Sequence, residues 1–391
     1  MLSILLVIPL VGCAIVAFTS SQEKMKQSAL GASLINFVIS IVLWSNFNSD
    51  IPEGTYQFTQ EFLPEQVTFC HLHIGVDGIS LYFVLLTTLI MPICILSNWS
   101  NIGSAESETN SDQKLYLLPF LLYLRRGTYT CSCCLSSVPV HTIRIAIKTP
   151  LVPFNTWLTY AHSEAPVGGS IVLAGVILKL ATYGFLRIML QFFPDASSHF
   201  SPIVQGLAAI SVIYASLSTL RQTDFKKLVA YSSVSHVAVV VIGLFSNTVQ
   251  GIEGAIILSL AHGLVSPALF FLVGGVLYDR YHTRTIRYYR GLVVYMPIFA
   301  VFFFLFTIFN TAVPLSIFQR SALIGCLGAT GIVLSAAYRY IQDINRREFI
   351  ILIPLLLLTV LVGVYPNFIL EDIHNNVSSL IYNNSLLSRP P

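Results

Sequence analysis

The sequence predicts an all-α polytopic membrane protein, on the basis of three observations. Hydrophobic residues make up 55% of the 391 residues. Charged residues make up only 10%, whereas a soluble globular domain carries about 25%. Apolar windows of about 20 residues, long enough to cross the hydrocarbon core as a helix, recur between short polar breaks along nearly the whole chain. Strands of a membrane barrel would alternate polar and apolar residues instead.

The apolar windows place about eleven or twelve spans. The first, Leu2 to Phe18, lacks the basic start of a signal peptide and is followed by many further apolar segments, so we interpret it as a membrane helix. A shorter apolar run, Leu115 to Leu124, has the pattern of a helix that stops early. The predicted helices lie near 2–19, 28–44, 77–98, 144–160, 166–190, 203–222, 228–246, 252–278, 292–316, 322–340 and 348–369.

Loop charges predict the orientation of the spans. Basic loops stay on the side from which a chain is inserted. Lys24 and Lys26 follow the first helix, whereas Asp50 and Glu53 lie in the next loop. Basic residues return in the loops near 221–227, 280–290 and 339–347, and acidic residues near 371–372. The net charge of +3 is small and spread over these loops, so nothing indicates nucleic acid as a partner.

Two lysines lie in otherwise apolar helical sequence. Lys148 stands two residues before Pro150 and five before Pro153, so its helix should break beside the ammonium group and leave backbone carbonyls free there. Lys179 lies deep in the next apolar run. An ionisable group at that depth is costly to bury and predicts an ion or proton pathway. The alternative is that each lysine reaches an interface or forms a structural pair.

Further titratable residues lie between and after these two lysines. His162 and Glu164 lie at the turn between the two lysine helices and could pass protons or cap the second helix. His262 is the only strongly polar titratable group in its span, and a histidine titrates near neutral pH unless perturbed. We therefore predict a relay role for His262, with a core hydrogen bond as the alternative. The pair Lys226 and Lys227 begins a helix beside a basic loop and is interpreted as an interfacial anchor.

The sequence contains no pattern typical of a redox cofactor or a metal site. The CSCC run at 131–134 has no second matching pair, which thiolate ligation of a metal requires. No nucleotide loop, flavin fingerprint, haem attachment motif or iron–sulfur spacing occurs. We therefore expect no cofactor bound by this chain, and any electrons must travel elsewhere.

Three segments resemble a known family. They are IKTPLVPFNTWLTYAHSEAPVGGSIVLAGVILKLATYGFLR from Ile147, LRQTDFKKLVAYSSVSHV from Leu220 and LAHGLVSPALFFLVGGVLYDRYHTR from Leu260. They are similar to the antiporter-like membrane subunits of respiratory NADH:ubiquinone oxidoreductase, complex I, in the mitochondrial form. The similarity is dense from about Lys148 to Leu315 and resumes toward the end of the chain.

The resemblance implies a fold and a function. The family has fourteen helices in two inverted five-helix repeats, each with a broken helix, and drives protons through the membrane as ubiquinone is reduced elsewhere in the complex. NADH, FMN, iron–sulfur clusters and ubiquinone are then held by other subunits. The expected partners are lipid and neighbouring membrane-arm subunits, and the expected location is the mitochondrial inner membrane. We divide the chain into 1–114, a first repeat at 115–222, a second at 223–345, and a C-terminal helix and tail at 346–391.

The resemblance also implies roles for individual residues. Lys148 corresponds to the family's broken-helix lysine and Lys179 to the lysine of the following helix. His162 and His262 fall on positions that link the half-channels. These four residues are the predicted proton relay.

The chain departs from the family pattern through three losses and one substitution. The family's fifth helix carries a glutamate that pairs with the broken-helix lysine, yet no acid occurs between Asp112 and Glu164, and helices five and six are missing. No acid occurs between Asp279 and Asp343, where the second broken helix should carry one. Asn155 replaces a histidine usual in the family. A third short loss falls in the loop AAYRYIQDINRRE.

Losses beside well-preserved flanks favour the hypothesis that pieces of the coding sequence are skipped or out of frame. Sequencing the mature transcript tests it, because unchanged residues at 113–147 and 312–342 would contradict it. Two other function classes stay open. One is a subunit of a cation/proton antiporter or membrane hydrogenase, which shares the lysine helices. The other is a scaffold of the membrane arm that lacks both glutamates and does not pump.

Overall fold

The computed structural model describes residues 2–19, 21–48, 56–62, 72–99, 147–289, 292–311 and 343–387. The chain divides into two compact units, Met1–Cys134 and Leu135–Pro391. Within the described ranges, seven helices are long and apolar enough to cross a membrane, and two shorter apolar helices accompany them. The predicted all-α polytopic class is confirmed. The predicted helix at 322–340, the short run at 115–124 and the CSCC run lie outside the described residues.

The described residues of the first unit form three helices and a short hairpin: α1 Leu2–Phe18, α2 Gln22–Ser45, β1 Gln57–Phe62, β2 Leu72–Val76 and α3 Gly78–Ser97. The strands pair antiparallel. A capping box starts α3, since the Asp77 carboxylate accepts from the Ser80 amide at 3.1 Å. Inside the unit, the buried hydroxyls of Ser40 and Thr88 are 2.7 Å apart and join α2 to α3. The sequence did not predict the hairpin, which lies in the polar segment between two spans.

The second unit is a bundle around one long helix. Its helices are α4 Thr156–Glu164, α5 Val167–Leu190, α6 Pro194–Leu220, α7 Phe225–Leu244, α8 Val249–Tyr281, α9 Leu292–Tyr295, α10 Pro297–Asn310, α11 Arg346–Val364 and α12 Asn367–Leu387. The central helix is α8, which packs against α5, α7, α10, α11 and α12. Its apolar window is 89% buried, against 28% for that of α6. Polar groups on α8 are therefore enclosed by protein.

The two ends of this bundle differ in charge. At one end, called here the basic end, the loops after α6 and α8 are joined by hydrogen bonds from the Phe225 amide to the Arg284 carbonyl (2.9 Å) and from the Ile286 amide to the Thr223 carbonyl (3.0 Å). At the other end, Glu253 of α8 contacts His374 of α12 at 2.6 Å. The basic end carries Arg221, Lys226, Lys227, Arg280, Arg284, Arg287, Arg346 and Arg347. This arrangement agrees with the predicted alternation of loop charge.

Two predicted helices are interrupted in the structure for clear reasons, whereas others differ only in where they begin or end. The window at 144–160 contains a helical turn at Lys148, a non-helical stretch through Asn155 and then α4, as the prolines predict. The window at 292–316 is interrupted at Met296, and α10 begins with Pro297 at its first position. The helix α12 was not predicted, because it buries only one face, through Ile369, Ile373 and Val377 at four-residue spacing.

Candidate functional site

Lys179 lies near the middle of α5 and is 3% exposed. Two π-helical turns, Leu173–Ile177 and Phe185–Leu190, flank it. Its ammonium group donates to the Ala174 carbonyl in the first of these turns and lies 2.6 Å from Nδ1 of His262 on α8. Such π turns occur often at functional sites because they re-aim side chains and free backbone carbonyls. The structure thus brings together two residues that the sequence predicted as site residues.

His262 continues the contact toward α7. Among the described residues its Nε2 has no hydrogen-bond partner. The His236 ring of α7 lies 5.8 Å from the His262 ring, centroid to centroid, and is tilted by 50°. His236 in turn hydrogen-bonds Asn310 at the end of α10. We call Lys179, His262 and His236 the lysine–histidine cluster.

Sequence reasoning missed His236. It is 2% exposed and stands alone among apolar and small residues near the centre of its span. That isolation is the signal that singled out His262, and it could have identified His236 as well.

His162 lies at the end of α4 and is fully buried. Its ring stacks on Phe270 of α8, with centroids 4.1 Å apart and planes 6° apart. Within the described ranges neither ring nitrogen has a hydrogen-bond partner. Both Lys179 and Lys226 are within electrostatic range of this ring. Stacking therefore orients this imidazole, whose two ring nitrogens supply one donor and one acceptor in the neutral form.

Lys148 is half-buried and lies where the helical turn ends and the non-helical stretch begins. Side chains form hydrogen bonds with the backbone around this non-helical stretch. The Trp157 indole donates to the Ile147 carbonyl at 2.8 Å, and the Val152 amide donates to the Ser211 hydroxyl at 2.8 Å. Non-helical backbone at membrane depth needs such partners. The predicted free carbonyl beside Lys148 is thus engaged by an indole. The role of Lys148 as a site residue stays a prediction.

Glu164 pairs with Arg284 at the basic end, with an oxygen–nitrogen distance of 2.9 Å. The hydrogen bond from Arg284, and then its charge, hold the pKa of the Glu164 carboxyl below its usual value. The Glu164 side chain is 73% exposed. The N-cap of α5 is Pro166, so Glu164 does not cap that helix.

The structure contradicts the interpretation of Lys226 as an interfacial anchor. Lys226 is 2% exposed. Its ammonium donates to the Ala165 carbonyl at 3.2 Å and lies 4.8 Å from the Tyr278 ring centroid. The sequence places Lys226 beside a basic loop, but the packing covers it with the turn between α4 and α5. Lys227, by contrast, is part-exposed and 3.5 Å from the Asp224 carboxylate.

The part of the chain that the structure describes contains no group of three or more histidine, cysteine or acidic side chains arranged to hold a metal ion. The cysteines described there, Cys13 and Cys94, are not joined in a disulfide. The candidate site is therefore the set of buried nitrogen bases around α8.

A helical membrane bundle with a buried lysine held against histidines defines a transport-type membrane subunit. The chain belongs to the NADH:quinone oxidoreductase/Mrp antiporter family, whose model matches residues 135–336. It is 50% identical to the NADH-ubiquinone oxidoreductase chain 4 of Mycosarcoma maydis, over 98% of this chain and 100% of that protein. It is 36% identical to the protein of the same name from Triticum aestivum, over 97% of each chain.

Solved structures share the fold. A chain of respiratory complex I from Thermus thermophilus with bound NADH superposes with a TM-score of 0.77 at 19% identity, over 100% of both chains. A chain of the Mrp complex from Dietzia sp. DQ12-45-1b gives a TM-score of 0.77 at 15% identity, over 99% of this chain and 98% of that one. At these identities the similarity concerns the fold alone.

The comparison with Mycosarcoma maydis also bears on the internal losses. Its alignment extends over 488 positions, whereas 98% of this chain is only about 383 residues. About 105 aligned positions therefore face gaps in this chain. Gaps of that extent agree with the losses inferred from the sequence.

Proposed function

We propose that this chain is the proton-translocating core membrane subunit of NADH:ubiquinone oxidoreductase, which couples electron transfer from NADH to ubiquinone to proton pumping. The observation that carries the proposal is the 2.6 Å contact between the buried Lys179 ammonium and His262. Relatives named for that enzyme, 50% and 36% identical over nearly the whole chain, support the assignment.

Proton transfer in this site is a movement between nitrogen bases. The Lys179 ammonium releases a proton to Nδ1 of His262 and becomes a neutral amine, while His262 becomes an imidazolium. The second ring nitrogen of His262 then releases a proton toward His236. Burial makes each charged form costly, so a nearby charge that appears or disappears moves the equilibrium strongly. A change transmitted from a neighbouring subunit can therefore drive the transfer.

The remaining assignments follow from the same proposal. NADH, FMN, the iron–sulfur clusters and ubiquinone are bound by other subunits, because this sequence carries no pattern that would bind them. The partners are neighbouring antiporter-like chains of the membrane arm, and lipid. The location is the mitochondrial inner membrane, and the two repeats occupy 115–222 and 223–345. Lys148 and His162 complete the relay with Lys179 and His262.

The proposal is tested by Lys179→Met in the native assembly, reconstituted into vesicles. Methionine keeps an unbranched side chain of similar length but has no proton to give. We expect NADH-driven proton pumping to fall about tenfold or more, because a positioned acid–base group contributes roughly 10²–10⁴-fold to proton transfer. Pumping is followed with a pH-sensitive dye and assembly by native electrophoresis.

The control is Lys227→Met, which removes a part-exposed lysine of the same charge and should leave pumping unchanged. Unchanged pumping by an intact assembly that carries Lys179→Met would contradict the proposal and favour a membrane scaffold. The equal TM-score to an Mrp chain makes an antiporter subunit the second candidate. Flavin and iron–sulfur centres in the purified native assembly favour the respiratory enzyme, and their absence favours the antiporter.

A further inference from the structure

One side of α8 carries five residues at four-residue spacing: His262, Ser266, Phe270, Gly274 and Tyr278. Residues four apart lie above one another on a helix. The last part of this row lies in the π-helical segment Phe271–Tyr278, whose wider turn reduces the drift of the row around the axis. Sixteen residues correspond to roughly 24 Å at ~1.5 Å per residue. The row therefore runs from the lysine–histidine cluster to the basic end.

Lys226 lies across the part of this row nearest the basic end. A Cβ at Gly274 would stand 3.2 Å from Cε of Lys226 and 3.7 Å from its Nζ. The ammonium sits 4.8 Å from the Tyr278 ring centroid and donates to the Ala165 carbonyl. The absence of a side chain at Gly274 thus leaves the space that the lysine stem occupies.

His162 of α4 lies beside Phe270, the next row position toward the cluster. The His162 ring stacks on Phe270, one turn from Gly274. His162 also stands three residues before Ala165, whose carbonyl accepts the hydrogen bond from Lys226. Lys226 and His162 thus lie beside successive positions of the row. One turn further, the Ser266 hydroxyl is 3.0 Å from that of Ser233 on α7. A polar side chain therefore lies beside each of the five row positions, from Tyr278 to His262.

The other side of Lys226 faces the basic end. Arg284 lies over the same Tyr278 ring, 5.0 Å from its centroid, and pairs with the exposed Glu164 carboxylate. Among the residues that the structure describes, the charged groups within electrostatic range of Lys226 are Arg284, Asp279 and Glu164. A buried lysine thus lies between an exposed ion pair on one side and a buried imidazole on the other.

We propose that Lys226 carries protons between the basic end of the bundle and His162, and so connects the lysine–histidine cluster to that side of the membrane. The inference rests on the proposed function. The Lys226 ammonium passes a proton to a nitrogen of neutral His162 and becomes an amine, which takes up a proton from the aqueous side next to Glu164 and Arg284. The flexible four-carbon stem supplies the motion.

The test compares Lys226→Met and Lys226→Arg in the native assembly, with Lys227→Met as the matched control. Arginine keeps the positive charge, the hydrogen-bond donor and the contact with the Tyr278 ring, but it does not release its proton. We expect NADH-driven pumping to fall about tenfold or more in both variants, because both remove a positioned acid–base group. The control should pump as the unmodified assembly does.

Restored pumping in Lys226→Arg would overturn the inference, since a charged anchor alone would then suffice. Unchanged pumping in Lys226→Met would overturn it as well. Gly274→Ala is a third variant that keeps the lysine and crowds its stem. We expect it to slow pumping severalfold, and a normal rate would count against the inference even if both Lys226 variants fail to assemble.

Lys179→Met separates this inference from the proposed function. If Lys179→Met abolishes pumping and Lys226→Met does not, only the role of Lys226 fails. If neither variant changes pumping in an intact assembly, the proposed function itself fails.

Discussion

The stacking of His162 on Phe270 makes a sharp prediction about how the proposed relay is held in position. In the described part of the chain neither nitrogen of the His162 ring is anchored by a hydrogen bond, and the face of the ring lies 4.1 Å from Phe270. Phe270→Leu keeps an apolar residue at this fully buried position but removes the aromatic face. The His162 ring should then sample other orientations.

The size of the effect follows from the geometry. An aromatic pair contributes about 0.5–1.5 kcal/mol beyond its buried area. At 1.36 kcal/mol for each factor of ten, losing that preference lowers the population of the stacked orientation about two- to twelvefold. The smaller side chain also leaves a partial void, at about 24 cal/mol per Å³. We therefore expect proton pumping to fall about two- to twelvefold, with a modest loss of thermal stability.

The measurement is NADH-driven pumping and the melting temperature of the assembly, with Phe271→Leu as control. Phe271 is the next residue, is 2% exposed, and loses the same atoms on substitution. We expect the two variants to lose similar stability, whereas only Phe270→Leu should slow pumping. Equal pumping rates in the two variants would refute the idea that stacking orients His162.

Two further substitutions test the ion pairs at the basic end. For Glu164→Gln we expect a loss of melting temperature that is largest near neutral pH and disappears on acidification. The pKa of the Glu164 carboxyl is lowered in the folded protein, so the carboxylate stabilises the fold above its unfolded pKa and loses that effect as the pH falls through the folded pKa. A difference in melting temperature that does not depend on pH would contradict the role of this charge. Glu348→Gln breaks the 2.6 Å ion pair between Glu348, whose side chain is 5% exposed, and Arg280, whose side chain is 19% exposed. We expect the free energy of unfolding to fall by about 2 kcal/mol, below the ~3–5 kcal/mol for breaking a fully buried pair. The fall is obtained from the unfolding midpoint, and Glu371→Gln at an exposed position is the control.

The sequence predicts the spans well because each apolar window is a local property of the chain. It cannot predict α12 equally well, since a helix with one buried face among polar residues shows no apolar window. The β1–β2 hairpin is missed for the same reason, because it lies in a polar segment without an apolar window. For the site, the sequence identifies Lys179 and His262 separately. Their contact joins residues 83 positions apart and depends on how α5 packs against α8.

Lys226 shows why local context misleads. Its neighbours in sequence are a second lysine, an aspartate and a basic loop, which together are typical of an interfacial anchor. Its neighbours in space are Gly274, Tyr278 and the Ala165 carbonyl. Three elements distant in sequence meet there, and no pattern within one helix records that meeting. Periodicity can place the row on α8, but it cannot say which side chain crosses it.

The lysine–histidine cluster consists of bases, and this limits how it can work alone. Two positive charges at the 5.8 Å separation of the His236 and His262 rings repel by about 3 kcal/mol at an effective dielectric constant of 20. The cluster therefore favours one proton at a time, and each proton hinders the next. A carboxylate near such a chain offsets that repulsion and adds a step at which charge can be switched. The family's two glutamates would supply this, yet no acid occurs at 113–163 or 280–342. The transcript sequence thus decides whether the proposed relay has carboxylate partners.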